Sequence, residues 1–153
     1  MSNADQFELF LRLAAALALG AVVGLQREFR GHHAGLRTSS LVCAGAALFG
    51  EIGLLWDDAR LAAGVVQGIG FLGAGLIFQR GSDVRGVTTA ASIWLLAGIG
   101  LLVAHELWLT AVLLTVTATI LLELAPVSDW VFATGNRRRS RRSESSDSDA
   151  SGE

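Results

Sequence analysis

Hydrophobic residues fall into five long runs along this chain, separated by short polar segments. Each run is close to the ~20 residues that an α-helix needs to cross the ~30 Å hydrocarbon core of a bilayer. The predicted spans are residues 7–25, 38–56, 62–78, 87–104 and 107–125. We therefore predict an all-α fold, a polytopic transmembrane helix bundle of about five spans that forms one domain over residues 1–130.

Composition agrees with lipid as the solvent. Apolar residues make up 52% of the 153 residues and charged residues only 17%, whereas about a quarter of the residues in a soluble domain are charged. The single cysteine, Cys43, lies inside an apolar run and has no partner for an intrachain disulfide. We expect the lipid bilayer as the surroundings and no nucleic-acid partner.

The arginines indicate how the bundle is oriented. All twelve basic residues are arginine, and cytoplasmic loops of membrane proteins carry an excess of basic residues. All but Arg12 and Arg60 lie in the loop after the first span, the loop after the third span or the tail. We therefore predict that the amino terminus lies outside and the carboxyl terminus in the cytoplasm.

Residues 131–153 form a predicted cytoplasmic tail. A run of arginines is followed by Ser, Asp, Glu, Gly and Ala, a composition that buries too little apolar surface to offset the entropy of ordering. We predict that this last part is disordered. The arginine run is interpreted either as a topology anchor or as a site for anionic headgroups.

Glycines suggest where the helices pack closely. The segment 68–73 matches the spacing of a dinucleotide-binding loop, but it lies inside an apolar run instead of after a strand, so we expect no nucleotide there. Small residues let membrane helices approach each other. On a helical wheel the glycines of the third span lie on two of its faces, which predicts that this span is sandwiched between two neighbours at the centre of the bundle. The predicted packing positions are Gly20, Gly24, Gly64, Gly68, Gly70, Gly73 and Gly75.

Four sequence blocks, in this order, resemble the MgtC/SapB family: residues 24–28 (GLQRE), 34–38 (AGLRT), 68–75 (GIGFLGAG) and 85–94 (RGVTTAASIW). The resemblance covers roughly residues 13–125 and leaves the tail outside. It implies a protein of the cytoplasmic (inner) membrane of a bacterium or archaeon, with a role in magnesium limitation and stress adaptation. It also implies that the membrane sector of the proton-translocating ATP synthase is a candidate partner. Family members usually carry Glu-Arg where this chain has Gln26-Arg27.

The predicted topology brings polar residues of two loops to one side of the membrane. This set is Arg27, Glu28, Arg37, Thr38, Arg85, Thr88 and Thr89. One interpretation is a hydrogen-bonded cluster in which Glu28 accepts a bidentate pair from an arginine and which a partner or an ion recognises. The other is a topology anchor, with Thr88 or Thr89 capping the fourth span.

Two functions remain open from the sequence. The first is a regulatory membrane protein that contacts a partner complex, and the second is a small cation transporter or channel, for which Glu51 and Gln67 could hydrogen-bond between the second and third spans. No nucleophile and base pair is apparent, so we do not expect an enzyme. His32 and His33 lack further ligands, so we expect no metal site and no cofactor. A homo-oligomer remains possible in both cases.

Overall fold

The computed structural model describes residues 2–80 and 83–124 of the chain. Within these ranges there are five α-helices and one short antiparallel β-hairpin. The elements are α1 (Asn3–Phe29), α2 (Leu36–Trp56), α3 (Arg60–Gly75), β1 (Phe78–Arg80), β2 (Asp83–Arg85), α4 (Val87–Ala104) and α5 (Trp108–Glu123). The predicted tail, 131–153, lies outside the described residues.

The first helix is longer than its apolar run at both ends. It begins at a capping box, in which Ser2 Oγ accepts from the Asp5 amide at 3.2 Å and Asp5 Oδ2 accepts from the Ser2 amide at 2.7 Å. Such a box satisfies amides that have no partner inside the helix. The helix therefore continues through polar residues on both sides of the predicted span 7–25, because hydrophobicity marks the membrane core and capping marks the helix end.

Three helices are long and apolar enough, within the described ranges, to cross a membrane: α1, α2 and α4. This confirms an all-α bundle of membrane helices. Helix α5 is a shorter apolar helix, and α3 has 16 residues, which at 1.5 Å per residue cover about 24 Å. Large apolar side chains such as Phe71 and Leu109 are exposed, as expected of surfaces that meet lipid. The number of spans stays a prediction.

The core lies where α1, α2 and α4 meet. Helix α2 contacts α1 on one side and α4 on another, and α1 also contacts α4. Small residues are frequent in this region, where the backbones approach closely; the fully buried residues include Ala16, Cys43, Ala47 and Ala104, together with the larger Ile99. Apart from the glycines, the sequence identified few of these positions, because α4 is apolar on all sides and shows no preferred face.

Helix α3 lies at the edge of the bundle, which corrects the expectation that it would be central. It contacts α2 and α4, yet Gly73 is its one buried residue. The helix ends at Gly75, three residues before the end of the predicted span, and the chain turns into the hairpin, with Phe78 opposite Arg85. Gly86 joins the hairpin to α4 with φ +89, where a Cβ would overlap the carbonyl of Leu76.

The chain divides into two compact units, Met1–Thr119 and Ile120–Glu153. The first unit holds the hairpin, helices α1 to α4 and most of α5. In the second unit the structure describes residues 120–124, where the Leu124 amide donates to the Ile120 carbonyl at 3.2 Å. The predicted domain boundary near residue 130 falls outside the described ranges.

Candidate functional site

A buried arginine lies where the end of α1 meets the start of α4. The side chain of Arg27 is 2% exposed, and its guanidinium donates a hydrogen bond to the hydroxyl of Thr89. Thr89 is itself buried, one turn after the hairpin. Two residues of the predicted cluster are therefore in direct contact, and they hold α1 and α4 together at this end.

The charge on Arg27 has no carboxylate partner among the residues that the structure describes. Its Nε makes no hydrogen bond, and the nearby chain supplies neutral groups, such as the Ser92 hydroxyl that donates to the Thr89 carbonyl at 2.7 Å. Burying a charge without a counter-charge is costly. A side chain kept buried at such a cost is a candidate for function, since an apolar residue would fill the space more cheaply.

Glu28 links the end of α1 to the start of α2. Its Oε2 accepts a hydrogen bond from the Leu36 amide at 2.8 Å. A Cβ at Gly35 would lie 2.7 Å from the same oxygen, so only glycine fits there without a shift. The sequence suggested an arginine as the partner of Glu28, and the structure gives it a helix-terminal amide, which a carboxylate stabilises.

The remaining predicted residues lie on the surface at this end of the bundle. Arg37 and Thr38 are exposed in the first turn of α2, and Thr88 is exposed in the first turn of α4. Arg85 is the last residue of β2 and is also exposed. The predicted cluster thus separates into a buried pair, Arg27 with Thr89, and an exposed group on neighbouring helix ends.

His32 lies in the loop between α1 and α2. Partial burial lowers its pKa below the ordinary value of 6.5, and the positive charges of Arg27, His33 and Arg30 lower it further. The imidazole is therefore kept neutral near pH 7. A protonated His32 would be repelled by the positive charges of Arg27 and Arg30.

Comparison with known proteins adds the family. The family model described as "MgtC family" matches residues 13–129. The chain belongs to the MgtC family. It is 48% identical over 99 residues to "Protein MgtC" of Salmonella typhimurium, covering 63% of this chain and 43% of that protein. It is 43% identical over 117 residues to "Protein MgtC" of Brucella abortus, covering 71% of this chain and 49% of that protein.

The chain therefore spans less than half the length of these MgtC relatives. No solved structure matches it. The matched region, residues 13–129, contains both the buried pair and the exposed group of the candidate site.

At the other end of this MgtC-family bundle, Arg12 joins three segments of chain. Its guanidinium lies 3.1 Å from a carboxylate oxygen of Glu51 on α2, 2.6 Å from Glu8 on α1 and 2.7 Å from Glu106 in the α4–α5 turn. The sequence suggested Gln67 as the partner of Glu51, and the structure corrects this to Arg12. Glu106 could not be found from the sequence because it is 94 residues away along the chain.

The predicted packing glycines have two different environments. A Cβ at Gly24 would lie 2.7 Å from Leu36 Cα and one at Gly20 2.6 Å from Ser39 O, so α1 and α2 are in backbone contact. Gly73 faces Ala90 of α4 at 3.5 Å. Four positions on α3 have nothing within 4 Å among the described residues: Gly64, Gly68, Gly70 and Gly75.

Proposed function

We propose that this MgtC-family chain is a regulatory protein of the cytoplasmic membrane. It would act in magnesium limitation and in control of membrane energetics, by contact with another membrane complex. The membrane sector of the proton-translocating ATP synthase is the candidate partner that the family resemblance suggests. The relatives' shared name, "Protein MgtC", and the membrane helices support this proposal.

The observation that favours a regulator over a transporter is the closed interior of the α1–α2–α4 core. A Cβ at Gly50 would lie 2.7 Å from Ala104 Cβ, and Ala16, Cys43 and Ala47 are fully buried. A cation pathway needs polar groups along one continuous route. In the described part of this core, apolar atoms separate the Arg27 end from the Arg12 end.

The exposed group supplies a surface for the partner. Arg37, Thr38, Arg85 and Thr88 come from different helix ends, and the predicted topology places them all at the cytoplasmic side. Exposed guanidinium and hydroxyl groups are hydrogen-bond donors that suit carboxylates or carbonyls of a second protein. The buried pair of Arg27 and Thr89 would keep α1 and α4 in the relative position that this surface requires.

The orientation is tested separately. Cysteine labelling or reporter fusions should place positions near Arg30 and Ser82 inside the cell, and positions near Asp57 and His105 outside. The physical reason is the distribution of arginines among the loops. The reverse pattern would place the exposed group on the wrong side of the membrane for a cytoplasmic partner.

The function is tested by single substitutions in cells that lack the native copy. Arg37→Ala and Thr88→Ala should weaken the effect of the protein on ATP levels and on growth in low magnesium, because each removes a donor to the partner. Loss of the hydrogen-bonded Arg37 charge costs about 2–5 kcal/mol of binding, and loss of the neutral Thr88 hydroxyl costs about 0.5–1.5 kcal/mol. Abundance and topology should stay normal. Deletion after Ser140 serves as the control and should have a smaller effect.

Two results would overturn the proposal. Full activity of both variants would remove the docking surface. Cation flux through proteoliposomes that contain the purified protein alone, absent from empty liposomes, would favour a small cation transporter or channel instead.

A further inference from the structure

Two apolar grooves lie beside each other along α2 and share lining residues near its amino-terminal end. The first has a volume of about 700 Å³ and lies between α2 and α3, lined by residues that include Leu41, Gly45, Phe49, Gly64 and Ile69. The second has a volume of about 530 Å³ and lies between α1 and α2, lined by residues that include Leu17, Ala18 and Ala21. Arg37 and Leu41 line both grooves.

Arg37 is the positive charge at the shared end of the two grooves. It is exposed, and neither Arg37 nor Thr38 has a side-chain hydrogen bond or ion pair with any described residue. Arg60, on the α3 side of the first groove, differs because its Nε lies 3.7 Å from Asp58 Oδ1. An anion drawn to these grooves would therefore bind at the Arg37 end.

We propose that Arg37 binds the phosphate of an anionic diacyl phospholipid, whose two acyl chains occupy the two grooves. One guanidinium that lines two neighbouring apolar grooves matches a molecule with one anionic headgroup and two hydrocarbon chains. The Thr38 hydroxyl, also on the wall of the first groove, is a second donor for the headgroup. Basic pockets between membrane helices on the cytoplasmic side bind anionic headgroups.

The length of the first groove agrees with an acyl chain of one leaflet. From Arg37 to Phe49 it follows α2 for 12 residues, or about 18 Å, which is close to the ~15 Å hydrocarbon depth of one leaflet.

The test measures lipid binding to the full chain without any partner protein. The purified protein in nanodiscs of phosphatidylcholine, with and without added phosphatidylglycerol, is released into a native mass spectrometer and the retained lipids are counted. We expect one retained phosphatidylglycerol per chain. Arg37→Gln should weaken its binding about tenfold, because a charge-assisted hydrogen bond is lost. Arg30→Gln in the adjacent loop is the matched control and should bind normally.

Occupancy of the first groove is tested by a substitution that fills it, and the need for two acyl chains is tested with a one-chain lipid. Gly45 lines the first groove, and no described atom lies within 4 Å of a Cβ built there, so Gly45→Leu should fold and should weaken phosphatidylglycerol binding. Gly98 on α4 is equally open and lines neither groove, so Gly98→Leu is the control. Lysophosphatidylglycerol, with one chain, should bind more weakly than the diacyl lipid.

The lipid site shares Arg37 and Thr38 with the proposed partner surface, but its test contains no partner and no growth assay, so the two proposals can fail separately. Equal binding by Arg37→Gln and the native chain would overturn the lipid proposal. Arg37→Lys keeps the charge and should bind nearly as well as the native chain, and both variants should have the unfolding temperature of the native chain. Unchanged lipid binding by Gly45→Leu would also overturn the proposal. If, in addition, the native chain runs as a dimer on size exclusion and Gly45→Leu runs as a monomer, the first groove binds a second copy of the chain.

Discussion

The helices of this bundle use glycine in two ways. Where α1 and α4 meet α2, a Cβ on the glycine would come within 3 Å of a neighbour, as at Gly20, Gly24 and Gly100. On α3, Gly64 and Gly68 have nothing within 4 Å among the described residues. Both regions contain glycines four residues apart in an apolar segment. The spacing therefore identifies a smooth helix face, and the partner of that face depends on the fold. We call the contacts of α1 and α4 with α2 at Gly20, Gly24 and Gly100 the tight region, and the face of α3 at Gly64 and Gly68 the open region.

The first prediction concerns the tight region and has the largest expected effect. Gly100→Ala should destabilise the protein by about 3 kcal/mol or more, because the added methyl would overlap the Cys43 carbonyl and crowd Ala46. Gly98→Ala is the matched control on the same helix, since its Cβ has open space, and it should change stability by less than about 0.5 kcal/mol. Thermal unfolding in detergent measures both. Equal stability of the two variants would show that α2 and α4 do not approach this closely in the purified protein.

Much of the fold could be predicted from the sequence because lipid imposes long apolar helices. The start of α4 at residue 87 and its end at 104 coincide with the predicted span. The hairpin was missed because Phe78 extends the apolar run of the third span, while the backbone leaves the helix at Gly75. Hydrophobicity continues across that boundary, so it could not mark the helix end.

The candidate site was predicted only in part. The sequence placed Arg27 and Thr89 at the same end of the bundle, but it gave both the same weight as the exposed Arg37 and Thr88. Burial separates these residues, and burial depends on which face of α1 meets α4. The sequence does not show which faces of α1 and α4 pack together, because α4 is apolar on all sides.

The second prediction concerns the polar contact that closes the tight region. Thr89→Val keeps the shape of the side chain but removes the acceptor of the Arg27 guanidinium, which should cost about 1–3 kcal/mol. Arg27→Met combined with Thr89→Val should recover part of this loss, because the buried charge is then removed as well. Thermal unfolding of the two variants checks the order. If Thr89→Val unfolds at the native temperature, the guanidinium finds another acceptor.

The third prediction concerns the open region and has the smallest expected effect. Gly68→Leu should change stability by less than about 0.5 kcal/mol in detergent, since a Cβ at Gly68 meets no described atom. Gly73→Leu, five residues along the same helix, should cost about 1–3 kcal/mol because Ala90 Cβ already lies 3.5 Å from the position of a Cβ at Gly73. This order reverses the expectation that both glycines lie at packed interfaces. If Gly68→Leu is as destabilising as Gly73→Leu, a further helix covers this face of α3. Cross-linking of a single-cysteine variant at Gly64 would then show whether a second copy of the chain provides that helix.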